Sequence, residues 1–496
     1  KKEDILERQA AVRELAPELK FRQRFRILGL LHKGKAADET ELKAWAASPG
    51  TFRKSRLLRV LPATVTGING ACLLLVVAGY LPASMWGVIW TLFVVAGFAF
   101  TGKITKIQAV YGKKLQILGT YAGLLRLMEA RPMQCRLLKS IKEEIGGEQR
   151  KASLSISRLS KLMNELDQRN NMFMYVILNG LFFWELRQIM RIEAWKEQYA
   201  GELPQWLDAL GQMDALNSLA TFAYNHPAYA YPTLLDKADM AAAKAGISSD
   251  ARKAGAANTG SNARFILRAK ALGHPLMHRD RCVRNDIDME KRPFFIIITG
   301  ANMGGKSVAM KTVALNVLLL QAGFLVCAKK ARMPLFHSVK MLFDDLQSIQ
   351  SGLSGFGSEI VQFQKALSEV EQGYSLFLLD EFARGTNPDE GAVIVQAVTR
   401  YLNGVDAISL LTTHYDKVAE YARTHYQIIG LRDIDPEAIR RELAVTSEDG
   451  VAVIARHMNY GLYRVEGKSD CPRDALNICR MLSLKPEILK MVEESY

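Results

Sequence analysis

Residues 295 to 312 read FIIITGANMGGKSVAMKT, an apolar run that stops at a glycine, crosses a glycine-rich stretch and opens into helix-forming sequence. Phe295 to Thr299 has the continuous apolar character of a strand buried on both faces. From Gly300 onward the residues fit G-x-x-x-x-G-K-[ST], with Gly300, Gly305, Lys306 and Ser307 in the fixed places. A loop that wraps phosphates must turn backbone N–H groups inward with no Cβ in the way, which accounts for Gly300, Gly304 and Gly305. The spacing predicts that Lys306 reaches the β- and γ-phosphates of a nucleotide and that Ser307 offers its hydroxyl to Mg²⁺. The helix from Val308 to Leu320 then points its N-terminal dipole at the same phosphates. Strand, loop and helix in this order predict an α/β P-loop domain.

Two further runs agree with that expectation. SLFLLDE, 375 to 381, is another buried-strand pattern, and it ends in adjacent carboxylates. Asp380 suits a hold on Mg²⁺, and Glu381 suits a base that orients and deprotonates an attacking water. ISLLTTH, 408 to 414, ends in His414, which is placed either to sense the γ-phosphate or to serve as a structural histidine after a strand.

The longest uncharged stretch lies elsewhere. Residues 60 to 102 contain no charge and no histidine, and Gly79-Tyr80-Leu81-Pro82 divides them into two pieces, each of the length that crosses a bilayer core of about 30 Å. Arg53, Lys54, Arg56 and Arg59 precede them, and Lys103, Lys106, Lys113 and Lys114 follow. Basic collars on both sides predict a transmembrane hairpin with both ends in the cytoplasm of an inner or plasma membrane; the competing reading is a helical pair buried in a soluble core. Being internal and doubled, the stretch is no signal peptide. NMFMYVILNGLFFW, 171 to 184, is short for a span and carries a central Asn-Gly, which predicts a core helix. Residues 1 to 50 alternate charged and apolar residues at helical spacing, which predicts a solvated or partner-facing helix with a basic patch from Lys20 to Arg26.

The net charge of +14 suits DNA and anionic lipid equally and excludes neither. Cys72, Cys135, Cys282, Cys327, Cys471 and Cys479 form no C-x-x-C pair and have no histidine partner at zinc spacing, as reduced cytosolic thiols would not.

TGANMGGKS resembles the TGPNMGGKS loop of the MutS mismatch-repair ATPases, in which the internal Asn-Met pair is unusual among phosphate loops. GHPLM at 273 to 277 with VRNDIDM at 283 to 289 resembles that family's lead-in to the ATPase, and LDEFARGTNPDEG at 379 to 391 its acidic strand and following loop. LTTHYDKVAEYA at 411 to 422 is similar to its Thr-His-Tyr switch, and QSGLSGFGSEIVQF at 350 to 363 to the segment that reaches a dimer partner's nucleotide. LDALGQMDALNSLATFAYNHP, 207 to 227, resembles the helical segment before the ATPase.

The resemblance implies ATP and Mg²⁺ as cofactors. It assigns phosphate and metal binding to Asn302, Lys306 and Ser307, Mg²⁺ and water to Asp380 and Glu381, γ-phosphate sensing to His414, and a role in trans to Ser354 within a homodimer with composite sites. Ala301, Val308, Gly355 and Ala383 stand where the family usually has Pro, Thr, Thr and Gly, and none of these changes removes a catalytic group. GTNPDEGA looks closer to the second bacterial MutS branch, which lacks mismatch recognition, and no Phe-x-Glu mismatch wedge, full clamp arm or nuclease-like extension is expected.

The expected architecture is therefore an α/β P-loop, MutS-like ATPase domain at 266–496. It follows an all-α core or lever domain at 103–265, a transmembrane hairpin at 60–102 and a charged helical segment at 1–59. Two functions fit. One is a membrane-anchored, dimeric ATPase that binds double-stranded or branched DNA. The other is an ATP-driven remodelling factor for a protein partner at the membrane, without DNA. A transporter subunit shares the nucleotide chemistry, but the Asn-Met loop and the absence of L-S-G-G-Q argue against it.

Overall fold

The computed structural model describes residues 1–31, 36–116, 118–146, 151–167, 172–235, 265–290, 295–300, 304–342, 355–415, 418, 424–431, 434, 436–445, 450–465, 474–482 and 484–494. The chain divides into two compact units, Ala10–Asn225 on one side and Lys1–Gln9 with His226–Tyr496 on the other.

The first unit is all-helical among the described residues. Its helices are α1 (Lys2–Leu15, whose opening turns belong to the other unit), α2 (Leu19–Leu31), α3 (Ala36–Ala47), α4 (Arg56–Val77), α5 (Ala83–Gln116) and α6 (Leu118–Ala130). They continue with α7 (Arg136–Glu144), α8 (Ala152–Asp167), α9 (Met172–Phe182), α10 (Trp184–Tyr199) and α11 (Leu203–Asn225). Helical spacing builds the core: Ile156, Leu159, Met163 and Leu166 line one face of α8, and Leu118, Ala122 and Leu125 one face of α6, all buried. The charged N-terminal segment, expected as a solvated or partner-facing helix, forms three helices, and part of its basic patch is buried. Arg22 is buried, donates to Thr221 Oγ1 at 2.9 Å and to the carbonyls of Leu15 and Ala16, and so joins α2 to α11.

The uncharged stretch forms α4 and the start of α5, joined by a tight turn that Tyr80 N closes onto Leu75 O. Arg56–Val77 and Ala83–Gly102 are each long and apolar enough to cross a membrane, and only 17% and 11% of the two apolar windows is buried within the protein. α9 differs from the enclosed core helix expected from its sequence. It packs along α4 and α5, and Phe173 on it is 74% exposed. Its last carbonyls, which lack partners inside the helix, are met by Asn69 Nδ2 from the middle of α4, at 3.0 Å from Gly180 O and 3.4 Å from Leu181 O. Asn69 Oδ1 in turn accepts from Trp86 Nε1 at 3.2 Å, so the polar side chain is satisfied inside the helical pair. Phe183, at φ 48°, breaks the path, and α10 begins behind it.

The second unit carries two sheets among the described residues. The smaller has strand order β1 (Thr233–Leu235), β5 (Lys330–Pro334), β2 (Phe265–Leu272), β3 (Asn285–Glu290). The larger runs β10 (Asn459–Val465), β9 (Thr424–Gly430), β4 (Phe295–Thr299), β8 (Ala407–Thr412), β7 (Ser375–Asp380), β6 (Val339–Leu342), with every pairing parallel except β10 with β9. Alternation splits the large sheet's core in two. Ile296, Ile298, Leu376, Leu378, Ile408 and Leu410 pack with α12 (Lys306–Gln321) and strands of the small sheet. Ile297, Phe377, Leu379 and Leu411 pack instead with α13 (Gly355–Val370) and α14 (Pro388–Leu402). Buried on both faces, β4, β7 and β8 are continuously apolar, as their sequence requires. The C-terminal helices α15 (Pro436–Val445), α16 (Gly450–His457) and α17 (Asp474–Met481) gather around Ile439, Val453 and Met481, and α18 (Pro486–Glu494) follows.

The boundary between the units at Asn225 lies upstream of the sequence-based boundary at 265/266. The reason is that Ala230 bridges Val326 and β1 pairs in parallel with β5, which fastens this segment to the small sheet. Asn316 of α12 holds the same region from the core side. It donates to Gly273 O at 3.0 Å and accepts from Cys327 N at 2.7 Å while fully buried. Asn316→Ala strands a buried carbonyl and a buried N–H, and is expected to destabilise the unit by about 2–4 kcal/mol. Denaturant unfolding of the full chain checks this, and an unchanged midpoint would contradict the role given to Asn316.

Candidate functional site

The C-terminal ends of β4, β7 and β8 meet at one edge of the large sheet, where open α/β sheets place ligands. The parallel register sets Asp380 opposite Thr412 and Thr412 opposite Ile298, so the strand that enters the phosphate loop and the strand that ends in carboxylates flank the same threonine. Gly300 and Gly305 sit at φ 149° and 86°, where an L side chain is strained. A Cβ on either would also crowd a neighbour, Ile428 Cβ at 3.0 Å and Tyr460 Cδ1 at 3.1 Å respectively. α12 starts directly after Gly305, so its free N–H groups face the loop.

Lys306, the first residue of α12, is only 4% exposed, and its ammonium is fully engaged. It donates to Gly300 O at 2.9 Å, lies 3.2 Å from His414 Nε2 and pairs with Glu381 Oε1 at 3.4 Å. Glu381 Oε1 also meets His414 Nε2 at 2.7 Å, while Arg384 Nη1 donates to its other oxygen at 2.7 Å. The His414 hydrogen bond and the nearby Lys306 and Arg384 charges outweigh burial and hold the Glu381 carboxyl down at about 2. The carboxylate is therefore the form present at neutral pH.

Beside this cluster lies a second one. Ser307 Oγ donates to Asp380 Oδ1 at 2.9 Å, and Thr412 Oγ1 donates to the same oxygen at 2.7 Å. Thr412 Oγ1 also accepts from Glu381 N at 2.9 Å, so one hydroxyl fixes both carboxylates. The backbone turns sharply here, with Glu381 at φ 49° and Ala383 at φ 63°. Left-handed non-glycine residues cost on the order of 1–2 kcal/mol each, and surrounding contacts must hold them. They do: Phe382 is buried against Phe363, Ala383 N donates to Glu359 Oε1 at 3.1 Å, and Tyr415 OH donates to Ala383 O at 3.2 Å.

Oxygen donors from a hydroxyl and a carboxylate at hydrogen-bond distance fit a hard cation such as Mg²⁺. Among the described residues no group of three or more His, Cys, Asp or Glu could hold a metal on its own.

A cavity of ≈ 820 Å³ opens beside the loop. Its walls include His274, Met277, Val283, Gly305, Val308 and Tyr460. Asn285 clips its far wall together, accepting from Leu462 N at 2.7 Å and donating to Tyr460 O at 3.4 Å.

The structure thus brings Gly300, Gly304, Gly305, Lys306, Ser307, Asp380, Glu381 and His414 to one edge, as the sequence spacing predicts. Asn302 and Ser354 lie outside the described residues. Sequence reasoning missed Thr412 and Arg384. Thr412 had a signal in retrospect, a hydroxyl at the end of an otherwise apolar strand. Tyr460 had none, because it arrives on β10 from far along the chain.

The fold and this edge define a P-loop ATPase. Residues 296–482 match the family model for MutS domain V. The chain is 32% identical to the endonuclease MutS2 of Geobacillus kaustophilus over 49% of this chain and 32% of that protein. It is 38% identical to the endonuclease MutS2 of Thermomicrobium roseum over 32% of this chain and 20% of that protein. It is also 29% identical to the DNA mismatch repair protein MutS of Shouchella clausii over 57% of this chain and 29% of that protein. The similarity spans a third or less of these relatives' own length. These likenesses support an ATPase domain of MutS domain V type within residues 296–482.

A carboxyl held below its ordinary value of 4.5 contributes stability that is complete above that pH and is lost as pH falls towards 2. The stability difference between the wild type and Glu381→Gln is therefore expected to be flat above about pH 5.5 and to change progressively below it. Denaturant titrations at a series of pH values read this directly, and a difference independent of pH down to 3 would contradict the charge network.

Proposed function

We propose that the chain is a membrane-anchored, dimeric ATPase of MutS type acting on double-stranded or branched DNA. The observation that carries the ATPase reading is the paired network at the sheet edge, Lys306–Glu381–His414 beside Ser307–Asp380–Thr412.

The triphosphate of ATP lies along the loop N–H groups and the N-terminus of α12, and its nucleoside enters the cavity walled by His274, Val283 and Tyr460. The γ-phosphate competes with Glu381 for the Lys306 ammonium, since both are anions seeking one cation. Glu381, released from Lys306 but still fixed through its backbone by Thr412, is then free to orient the attacking water and accept its proton. His414 bridges the two states, because its Nε2 lies within reach of both Lys306 and Glu381. Asp380 and Ser307 would hold Mg²⁺, which would neutralise charge on the phosphates. Asn302 on the phosphates and Ser354 acting in trans from a second chain complete the reading by family resemblance.

The membrane reading is supported by the exposure of α4 and α5, which a buried soluble pair would not show, and by the basic collars. The internally satisfied end of α9 also suits an environment without water. Both ends of the hairpin then lie in the cytoplasm with the ATPase unit. The DNA reading draws on the names of the relatives, endonuclease MutS2 and DNA mismatch repair protein MutS. The hairpin favours a second reading, remodelling of a membrane protein partner without DNA.

Lys306→Ala is expected to weaken ATP binding by about 100-fold or more, and Glu381→Gln to bind ATP while hydrolysing it at least about 100-fold more slowly. Nucleotide binding and turnover measured on detergent-solubilised protein test this, and unimpaired turnover in either variant defeats the site assignment. The same preparation separates the two partners. Stimulation by duplex or branched DNA should fade steeply between about 50 and 200 mM salt as phosphate contacts are lost. Turnover indifferent to every DNA favours the protein-remodelling reading.

A further inference from the structure

α10 returns from the break at Phe183 alongside the basic, N-terminal half of α4, and the two helices do not close against each other there. Between them lies a cavity of ≈ 620 Å³. One wall is Arg187, Met190, Arg191 and Ala194, which recur at helical spacing on α10. The facing wall comes from α4 and the loop before it, with Arg53, Arg59, Pro62, Ala63, Thr66 and Gly67. Four guanidiniums thus converge on a cavity whose remaining lining is mostly apolar.

The carboxylates nearby neutralise only part of this cluster. Glu197 pairs with Arg53 at 3.0 Å and Glu165 with Arg191 at 3.4 Å. Glu193, buried, directs both oxygens to the backbone N–H groups of Thr51, Phe52 and Arg53. Arg59 donates only to the Arg53 carbonyl, and Arg187 has no side-chain hydrogen bond or ion pair among the described residues. Two guanidinium forks are left facing the cavity with charge to place.

We propose that this cavity binds the phosphate headgroup of an anionic phospholipid, with Arg59 and Arg187 on the phosphate, Arg191 beside them and shared with Glu165, and Pro62, Ala63 and Met190 against the start of the acyl chains. Arginine suits this role because its planar fork grips phosphate oxygens in pairs. A lipid fits better than a soluble anion because the apolar wall is continuous with α4, whose outer surface is exposed and uncharged beyond Arg59. The basic end of the hairpin is also the end that faces the anionic leaflet. The inference rests on the membrane reading of α4 and α5, and goes beyond it by naming a site and its ligand class.

The test uses the full chain in a non-ionic detergent, with its melting temperature followed as lipid is added. Phosphatidylglycerol is expected to raise it by about 2–4 °C, phosphatidylcholine by much less, and inorganic phosphate or glycerol 3-phosphate not at all. Arg187→Gln/Arg191→Gln should lose the phosphatidylglycerol shift while melting within about 2 °C of the wild type without lipid. Arg187→Lys/Arg191→Lys should keep part of the shift, since the charge remains but the fork does not, and this pair stays informative if the glutamine pair folds poorly. An equal phosphatidylglycerol shift in wild type and both variants overturns the site. A full shift with inorganic phosphate, or with a short DNA duplex in place of lipid, overturns the lipid as its ligand. Carbonate extraction of wild-type membranes distinguishes the underlying reading: release into the soluble fraction overturns the hairpin, whereas retention together with a lost or non-specific lipid shift overturns the headgroup site alone.

Discussion

One hydroxyl organises the chemistry of this protein. Thr412 Oγ1 donates to Asp380 and accepts from the backbone N–H of Glu381, so it sets the positions of both carboxylates at once. Everything else at the site depends on the register that delivers it. Pairing β8 between β4 and β7 puts the threonine level with Asp380 on one side and with the end of the phosphate-loop strand on the other. A slip of one residue would turn the hydroxyl to the opposite face and replace it with an apolar side chain. The continuous burial of the three strands is what forbids that slip, because both faces of the sheet are already filled.

Around that anchor the site is a set of charges that satisfy each other. Lys306, Glu381, His414 and Arg384 form a chain of contacts in which each charge faces an opposite one or a hydrogen-bond acceptor. Such a network is stable at rest and responsive to an incoming anion, since a phosphate offers Lys306 an alternative partner. The left-handed backbone at Glu381 and Ala383 stores a small strain at the same place, held by the buried Phe382 and by hydrogen bonds from Ala383 N to Glu359 and from Tyr415 to Ala383 O.

The helical unit follows a different economy of polar groups. Two apolar helices stand largely uncovered, and buried polar side chains in and beside them finish neighbouring structure: Asn69 of α4 meets the C-terminal end of α9, and Glu193 of α10 gathers the N–H groups ahead of α4. Where charge is left over, as at Arg59 and Arg187, it faces a cavity at the basic end of the hairpin.

Much of this was legible in the sequence. The phosphate loop, the two acidic residues and His414 stood at the ends of strand-like apolar runs, and local pattern is enough to read them, because a strand buried on both faces has to be apolar and a phosphate-wrapping turn has to be glycine-rich. The two helices of the hairpin were equally plain, since length and lack of charge are local properties. Other features were not readable. The first boundary fell at Asn225 because β1 pairs with β5, a contact between segments far apart in the chain. Arg22 looked like part of a wet basic face and is buried against α11, and α9 looked like a core helix and has an open side. Thr412 as the link between carboxylates, Tyr460 in the cavity wall and the four arginines at one groove are likewise products of packing. The sequence alone determined which segments become strands, helices and phosphate loop, because those choices follow from each residue's neighbours along the chain. Only the tertiary structure decided which side chains share a site, because register and helix packing set distances that no local pattern encodes.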